Sequence, residues 1–256
     1  MDNIYLSYCV TACDEKDELF VLLSLLEGVI AVDTEIIVQT DSSRVTNDVL
    51  DVIKNHPISE HINHVNFPLN GDFATFKNNL FKHARGEWIF QIDADELLND
   101  YLLYNLKTLL EINADMEMIA VPRVNIVENI TQEWINHWNW KISKQDIAIQ
   151  STLEPISIYS DLYKLLEINN LIKEEYNINS SKDIRSVVYY KPIINFPDYQ
   201  TRIYRNLDKI RFKNKVHEVI TGYSHYAAIP DEWNWCLLHV KSINKQISQN
   251  EMYSKL

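Results

Sequence analysis

Residues 86–96 read Gly86-Glu-Trp-Ile-Phe-Gln-Ile-Asp-Ala-Asp-Glu96. An apolar run (Trp88, Ile89, Phe90, Ile92) delivers two carboxylates, Asp93 and Asp95, and Glu96 then opens a new periodic segment. A buried strand that ends in Asp-x-Asp sets carboxylates at the carboxyl edge of an open α/β sheet, where such sheets bind ligands. Carboxylates crowded there repel one another unless a cation sits among them. Hard divalent cations, which take oxygen ligands and stay partly hydrated, suit the arrangement and commonly carry substrate phosphates. The first expectation is a metal–diphosphate site.

Outward from this strand, the chain alternates strand and helix. Residues 4–12 read as a buried first strand, and Asp14 and Asp17 offer caps to a helix whose Leu19, Leu22, Leu23, Leu26 and Ile30 share one face. Glu35–Thr40 is the second strand, ending at Asp41, and Val45, Val49, Val52 and Ile53 mark a second helix. A short strand near His64–Phe67, the turn Asn70-Gly71-Asp72 and a stripe of Phe73, Phe76, Leu80 and Ala84 lead back to the Asp93 strand. Crossovers this short predict a parallel sheet flanked by helices. A helix over Leu98–Ile112 and a strand over Met116–Val121 follow. Beyond residue 125 the pattern weakens: Ile130–Trp140 carries three tryptophans, and Asp161–Tyr176 looks helical. Strands return at Tyr199–Tyr204, Lys215–Ile220 and Trp233–Val240, with a polar helix after them.

Length and composition narrow the class. The 256 residues suffice for a large core, and 46% hydrophobic content argues against disorder. A net charge of −12 argues against nucleic-acid binding, which needs clustered Lys and Arg. An anionic substrate then requires a mediating cation. Three cysteines, Cys9, Cys13 and Cys236, form no disulfide framework and read as buried thiols. No signal peptide or membrane-spanning run is visible, so the expectation is a soluble, cytoplasmic protein, and the sequons at Asn129 and Asn179 carry little weight. Only four glycines occur, and each is expected to serve a backbone need.

Other readings of Asp-x-Asp fit less well. A calcium loop starting at Asp93 wants Gly and Glu where Leu98 and Tyr104 stand. A phosphatase with an aspartyl nucleophile usually carries its Asp-x-Asp after the first strand, not a later one. No G-x-G-x-x-G follows any strand, against a nicotinamide-binding fold. The plain alternative is a surface turn with helix-capping acids.

The ordered series Cys9-Val-Thr-Ala-Cys-Asp-Glu15, Thr40-Asp41, Phe73-Ala-Thr-Phe-Lys-Asn-Asn79 and Ala84–Glu96 resembles the nucleotide-binding half of a family 2 glycosyltransferase with the GT-A fold. Asn195–Asn206 and Asn214-Lys-Val-His-Glu218 are similar to the acceptor-side half of the same group. The resemblance implies one domain over 1–256: a nucleotide-sugar-binding half (1–125), a helical insertion (126–192) and an acceptor-side half (193–256). It also implies transfer of a sugar from a UDP- or GDP-linked donor to a glycan or other hydroxyl acceptor, with inversion and with Mn²⁺ or Mg²⁺. Thr11 and Ala12 would line the nucleoside pocket, Asp41 would meet the base, and Lys77 would sit by the diphosphate where the family often has Arg. Asp93 and Ala94 would contact the donor, with Asp93 at the ribose or metal, and Asp95 would bind the metal directly. His239 would complete the metal site, an imidazole being a fitting third ligand for manganese.

An inverting transfer needs a carboxylate base at the acceptor hydroxyl. Glu218 is the first choice, then Asp198, with Glu96 behind; the plain reading of Glu218 is a strand-end carboxylate paired with Lys213 or Lys215. On strand alternation His217 would face away from Glu218, and the plain reading of His239 is a core histidine between leucines. Of the basic run from Arg202 to Lys215, Arg202 and Arg205 are placed near donor or acceptor. Trp138 or Trp140 could stack on an acceptor sugar, although tryptophans so spaced more often bury area. Two rival functions are a nucleotidyltransferase, which should carry a Gly-rich basic loop after the first strand, and a non-catalytic carbohydrate-binding module.

Overall fold

The computed structural model describes residues 4–143, 148–151, 173–176, 185–188 and 193–253. Its first half is built as the periodicity predicts. Strands β1 (Leu6–Ala12), β2 (Thr34–Asp41), β3 (Ile62–Phe67) and β4 (Trp88–Asp93) lie parallel in the order β3-β2-β1-β4. Helices α1 (Lys16–Glu27), α2 (Asn47–Asn55) and α3 (Phe73–Phe81) cross between them. β1 and β4 are buried along nearly their whole length, as strands covered on both faces must be. Thr46 and Asp72 cap α2 and α3 by accepting from Val49 N and Thr75 N. α1 differs from expectation: neither Asp14 nor Asp17 caps it, and the Glu15 carboxylate instead folds back onto Cys13 N at 2.8 Å and Asp14 N at 3.1 Å.

The helix expected from Leu98 starts two residues later. Glu96–Leu98 form a short buried strand, β5, and helix α4 (Asp100–Ile112) follows behind an Asn99 cap. β6 (Met118–Glu128) then runs far past Pro122. After α5 (Gln132–His137), the described parts of 138–192 hold β7 (Ile142–Ser143), which joins the main sheet, and the antiparallel set β8 (Ala148–Ser151), β10 (Arg185–Val188), β9 (Lys173–Tyr176). The helix expected over Asp161–Tyr176 lies outside the described residues except for its last four, which are strand β9.

The second half closes the sheet. β11 (Ile193–Arg205) inserts antiparallel between β4 and β6. Short strands β12 (Arg211–Lys213) and β13 (Val219–Thr221) pair with each other, and β14 (Tyr226–Ala228) joins β6. β15 (Leu237–Ser242) runs parallel to β6 and antiparallel to β5, and helix α6 (Ile243–Tyr253) follows. The strands expected over 215–220 and 233–240 are thus shorter than read. Lys215–Glu218 is loop, and Trp233–Trp235 is a 3₁₀ turn before β15.

Three glycines serve a backbone need, Gly71 by its φ of +68° in the turn before α3 and two others by close approach. A Cβ on Gly86 would sit 2.6 Å from Ser7 N, and one on Gly222, at φ +93°, would sit 1.8 Å from the Lys209 carbonyl oxygen. Gly28, at φ −66°, needs no such freedom. The core lies on both faces of the sheet, with Trp88, Phe90, Ile92, Leu97 and Leu102 in the cluster that also takes the α1 leucines. Among the described residues no helix is long and apolar enough to cross a membrane.

Candidate active site

The carboxyl ends of β1, β2 and β4 open onto a cavity of about 800 Å³. That volume suits a ligand of nucleotide-sugar size. Thr11, Ala12, Asp41, Lys77, Asp93, Ala94, Asp95, Asp198, Arg202, Glu218 and His239 all line it. These eleven residues expected from the sequence therefore meet at one place, although the chain brings them from seven separate segments.

At its floor lies a charge network that the strand register assembles. Thr11 stands opposite Asp93 across β1 and β4, and its hydroxyl donates to Asp93 Oδ1 at 2.7 Å. Gln91 Nε2 donates to the same oxygen at 2.8 Å, with Lys77 Nζ 3.6 Å away. Arg202 Nη2 donates to Asp93 Oδ2 at 2.6 Å and to Glu96 Oε1 at 2.5 Å, while its Nη1 donates to Gln91 Oε1 at 2.6 Å. Burial raises the Asp93 carboxyl, but Arg202 and Lys77 beside it outweigh that and hold it well below the carboxylate range. The Arg202 guanidinium loses by burial yet is raised overall by Asp93 and Glu96. Glu96, fully buried, also accepts from Arg123 Nη1 at 2.8 Å. Both oxygens of Asp93 are thus occupied by protein donors.

Asp95 has a different setting. Its Oδ2 lies 3.3 Å from His239 Nε2 and 3.6 Å from Lys245 Nζ on α6. Burial raises this carboxyl, and His239 and then Lys245 bring it below its usual range. His239 Nδ1 lies 2.8 Å from Asn125 Oδ1. Asn125 Nδ2 donates to Asp198 Oδ2 at 2.8 Å, so its amide oxygen must face the imidazole, and Nδ1 carries the proton. Nε2 faces Asp95, hydrogen-bonding its carboxylate through a proton that a bound cation would replace. A metal-binding histidine is usually oriented in this way, by an acceptor on its other nitrogen. Among the described residues no group of three His, Cys, Asp or Glu side chains is gathered for a metal. Asp95 and His239 form a two-residue oxygen and nitrogen set, which fits Mn²⁺ or Mg²⁺ when phosphate oxygens and water complete the shell. Sequence reading missed Asn125, whose part follows only from the register that sets it opposite His239. Asn125→Leu is expected to weaken Mn²⁺ binding about 10–100-fold, measurable by calorimetry with the metal alone; unchanged affinity would discount the orienting role.

The two candidate bases are held differently. Asp198 accepts from Arg123 Nε at 3.0 Å and Nη2 at 2.7 Å as well as from Asn125, all on Oδ2, and from Gln200 Nε2 at 2.9 Å on Oδ1. Burial raises its carboxyl, but Arg123 and these donors bring it below its ordinary value. Glu218 has Lys77 Nζ at 2.8 Å from Oε1, rather than the Lys213 or Lys215 of the plain reading. Its loop carries Asn214 at φ +74° and His217 at φ +52°, so strand alternation does not govern His217.

At the carboxyl end of β2, Asp41 Oδ1 accepts from Ser43 N, Ser43 Oγ and Leu69 N, while Oδ2 is buried without a partner among the described residues. Arg205 sits elsewhere: it pairs with Glu87 and stacks 4.1 Å over Trp88. It belongs to the packing beneath the sheet, not to the cavity. Trp134, Trp138 and Trp140 stack in series with ring centroids 4.7 Å apart, and Trp140 reaches the cavity rim.

No curated protein sequence matches the chain. Similar solved structures include TarS from S. aureus, at 13% identity and TM-score 0.47, covering 88% of this chain and 37% of that one. TarS 1–349 in complex with UDP-GlcNAc gives 17% identity and TM-score 0.42, covering 75% of this chain and 58% of that one. The mannosyltransferase PcManGT from Pyrobaculum calidifontis, in complex with GDP-Man and Mn²⁺, gives 17% identity and TM-score 0.40, covering 46% and 35%. This chain spans less than two thirds of the length of each. The sequence pattern of Glycosyl transferase family 2 matches residues 7–169, more than half of the chain and all of the parallel half that carries Asp93 and Asp95, so the chain belongs to glycosyl transferase family 2.

Proposed function

We propose that this chain transfers a sugar from a UDP- or GDP-linked donor to a hydroxyl acceptor, with inversion at the sugar carbon. The observation that carries the reading is the pairing of Asp95 with a pre-oriented His239 at the rim of the cavity, next to the Asp93 network. In this reading Ala12 and the orphaned Asp41 oxygen receive the nucleoside, with β15 and α6 completing the donor side. Arg202, tied to Asp93 and Glu96, works as the fixed floor that keeps Asp93 in place beside Thr11 and Ala94. Asp95 and His239 would hold a divalent cation, which when bound supplies positive charge against the departing diphosphate.

Glu218 takes the proton from the acceptor hydroxyl, and Lys77 fixes the orientation of its carboxylate. Asp198 is the weaker candidate because four protein donors, Arg123 among them, hold its carboxylate and lower its basicity. Asp198 instead sets the amide of Asn125 and, through it, the imidazole of His239. A panel of UDP- and GDP-sugars incubated with the protein and Mn²⁺ tests the reading. Slow release of UDP or GDP from one donor is expected, and release from none of them would count against it.

A further inference from the structure

This inference rests on the donor reading above. Lys77, expected at the diphosphate, is committed to protein carboxylates, at 2.8 Å from Glu218 and 3.6 Å from Asp93. Arg202 and Arg123 are committed likewise, to Asp93, Glu96 and Asp198. Of the other cations that line the cavity, Arg44 reaches Met252 of α6, and Lys241 and Lys245 come from the junction of β15 and α6 beside Asp95. Lys241, half-buried, donates to the neutral Gln249 Oε1 at 3.0 Å and takes part in no ion pair among the described residues. Lys245 makes only long pairs, 3.4 Å to Glu15 Oε1 and 3.6 Å to Asp95 Oδ2. Both line the same cavity wall as Asp95 and His239.

We propose that Lys241 and Lys245 form the subsite for the donor's diphosphate. Lys241 feels the Asp95 and Glu96 carboxylates but pairs directly with neither, its one hydrogen bond going to the neutral Gln249, so an entering anion can take the ion-pair position that the protein leaves open. Lysine binds phosphoryl oxygens as a compact point charge, without the planar match that arginine needs. Lys245 sits between two carboxylates at distances that let it turn toward a phosphoryl group beside Asp95. Because α6 also lines the cavity with Gln246, Gln249 and Met252, diphosphate binding would fasten this helix to the donor.

The test is calorimetry of UDP against UMP and GDP against GMP, with saturating Mn²⁺, on wild type, K241Q, K245Q, the double variant and K77Q. Wild type should prefer the diphosphate of one base. Each single change should cut diphosphate affinity about tenfold, and the double variant should lose most of the preference while keeping monophosphate affinity within about twofold. Retained monophosphate binding also reports that the double variant is folded, and K245Q alone removes only a surface-reaching amine. A double variant that keeps the preference, or loses both nucleotides equally, overturns the proposal. So does K77Q erasing the preference while the double variant retains it. A wild type that binds neither UDP nor GDP overturns the donor reading itself, and is seen before any variant is compared.

Discussion

Arg202→Met should destabilise the fold by about 3–5 kcal/mol, because removing one partner of a buried charge network leaves the others uncompensated. The guanidinium is the common donor to Gln91, Asp93 and Glu96, and without it two carboxylates face each other in the interior with only Lys77 and Arg123 nearby. Arg202→Lys should recover part of the loss, since one amine restores the charge but cannot span three acceptors. The acid limb should move as well. The folded Asp93 carboxyl ionises well below its unfolded value, so its stabilisation is complete above about pH 4 and is lost as pH falls toward the folded value. With Arg202 gone that depression shrinks, and acid unfolding should begin at higher pH. Urea unfolding across pH checks both effects; a variant as stable as wild type would show that Asp93 and Glu96 are neutralised some other way.

Glu218→Gln should lower turnover about 10²–10⁴-fold, the usual contribution of a positioned general base. The amide keeps a hydrogen-bond acceptor for Lys77, so the loop and the donor pocket should survive. Affinity for UDP or GDP should therefore change little while kcat falls. Asp198→Asn is expected to act in the opposite way. It disturbs the acceptor of Arg123 and Asn125, weakening metal and donor binding before chemistry. If Glu218→Gln retains turnover while Asp198→Asn loses it with donor affinity intact, the base is Asp198.

The parallel half of the fold was legible because its signals are local. Each strand is an apolar run of the right length, and Leu19, Leu22 and Leu26, or Phe73, Phe76 and Leu80, recur at helical spacing. The residues around Asp-x-Asp were legible for the same reason. What local pattern could not reach was register. Glu96 reads only as the opening of a new periodic segment, yet β15 pairs His239 with Glu96 on one side and with Asn125 on the other. A fully buried carboxylate is tolerable there only because two arginines from β6 and β11 arrive beside it. Nothing in the spacing of residues 90–100 announces partners so far along the chain. The same holds for Lys77, whose pairing with Glu218 depends on a loop shaped by left-handed Asn214 and His217. Within the basic run from Arg202 to Lys215, Lys209 pairs with Glu117 and Arg211 with Asp208, both outside the cavity.

Titration of UDP and GDP into wild type and Asp95→Asn, each with and without Mn²⁺, reaches the core of this account. Wild type should bind one of the two nucleotides markedly more tightly with the metal present, and Asp95→Asn should bind it weakly and equally under both conditions. Metal-independent binding in wild type, or a metal effect that survives in Asp95→Asn, would contradict the assignment of Asp95 and His239 as the site where cation and diphosphate meet.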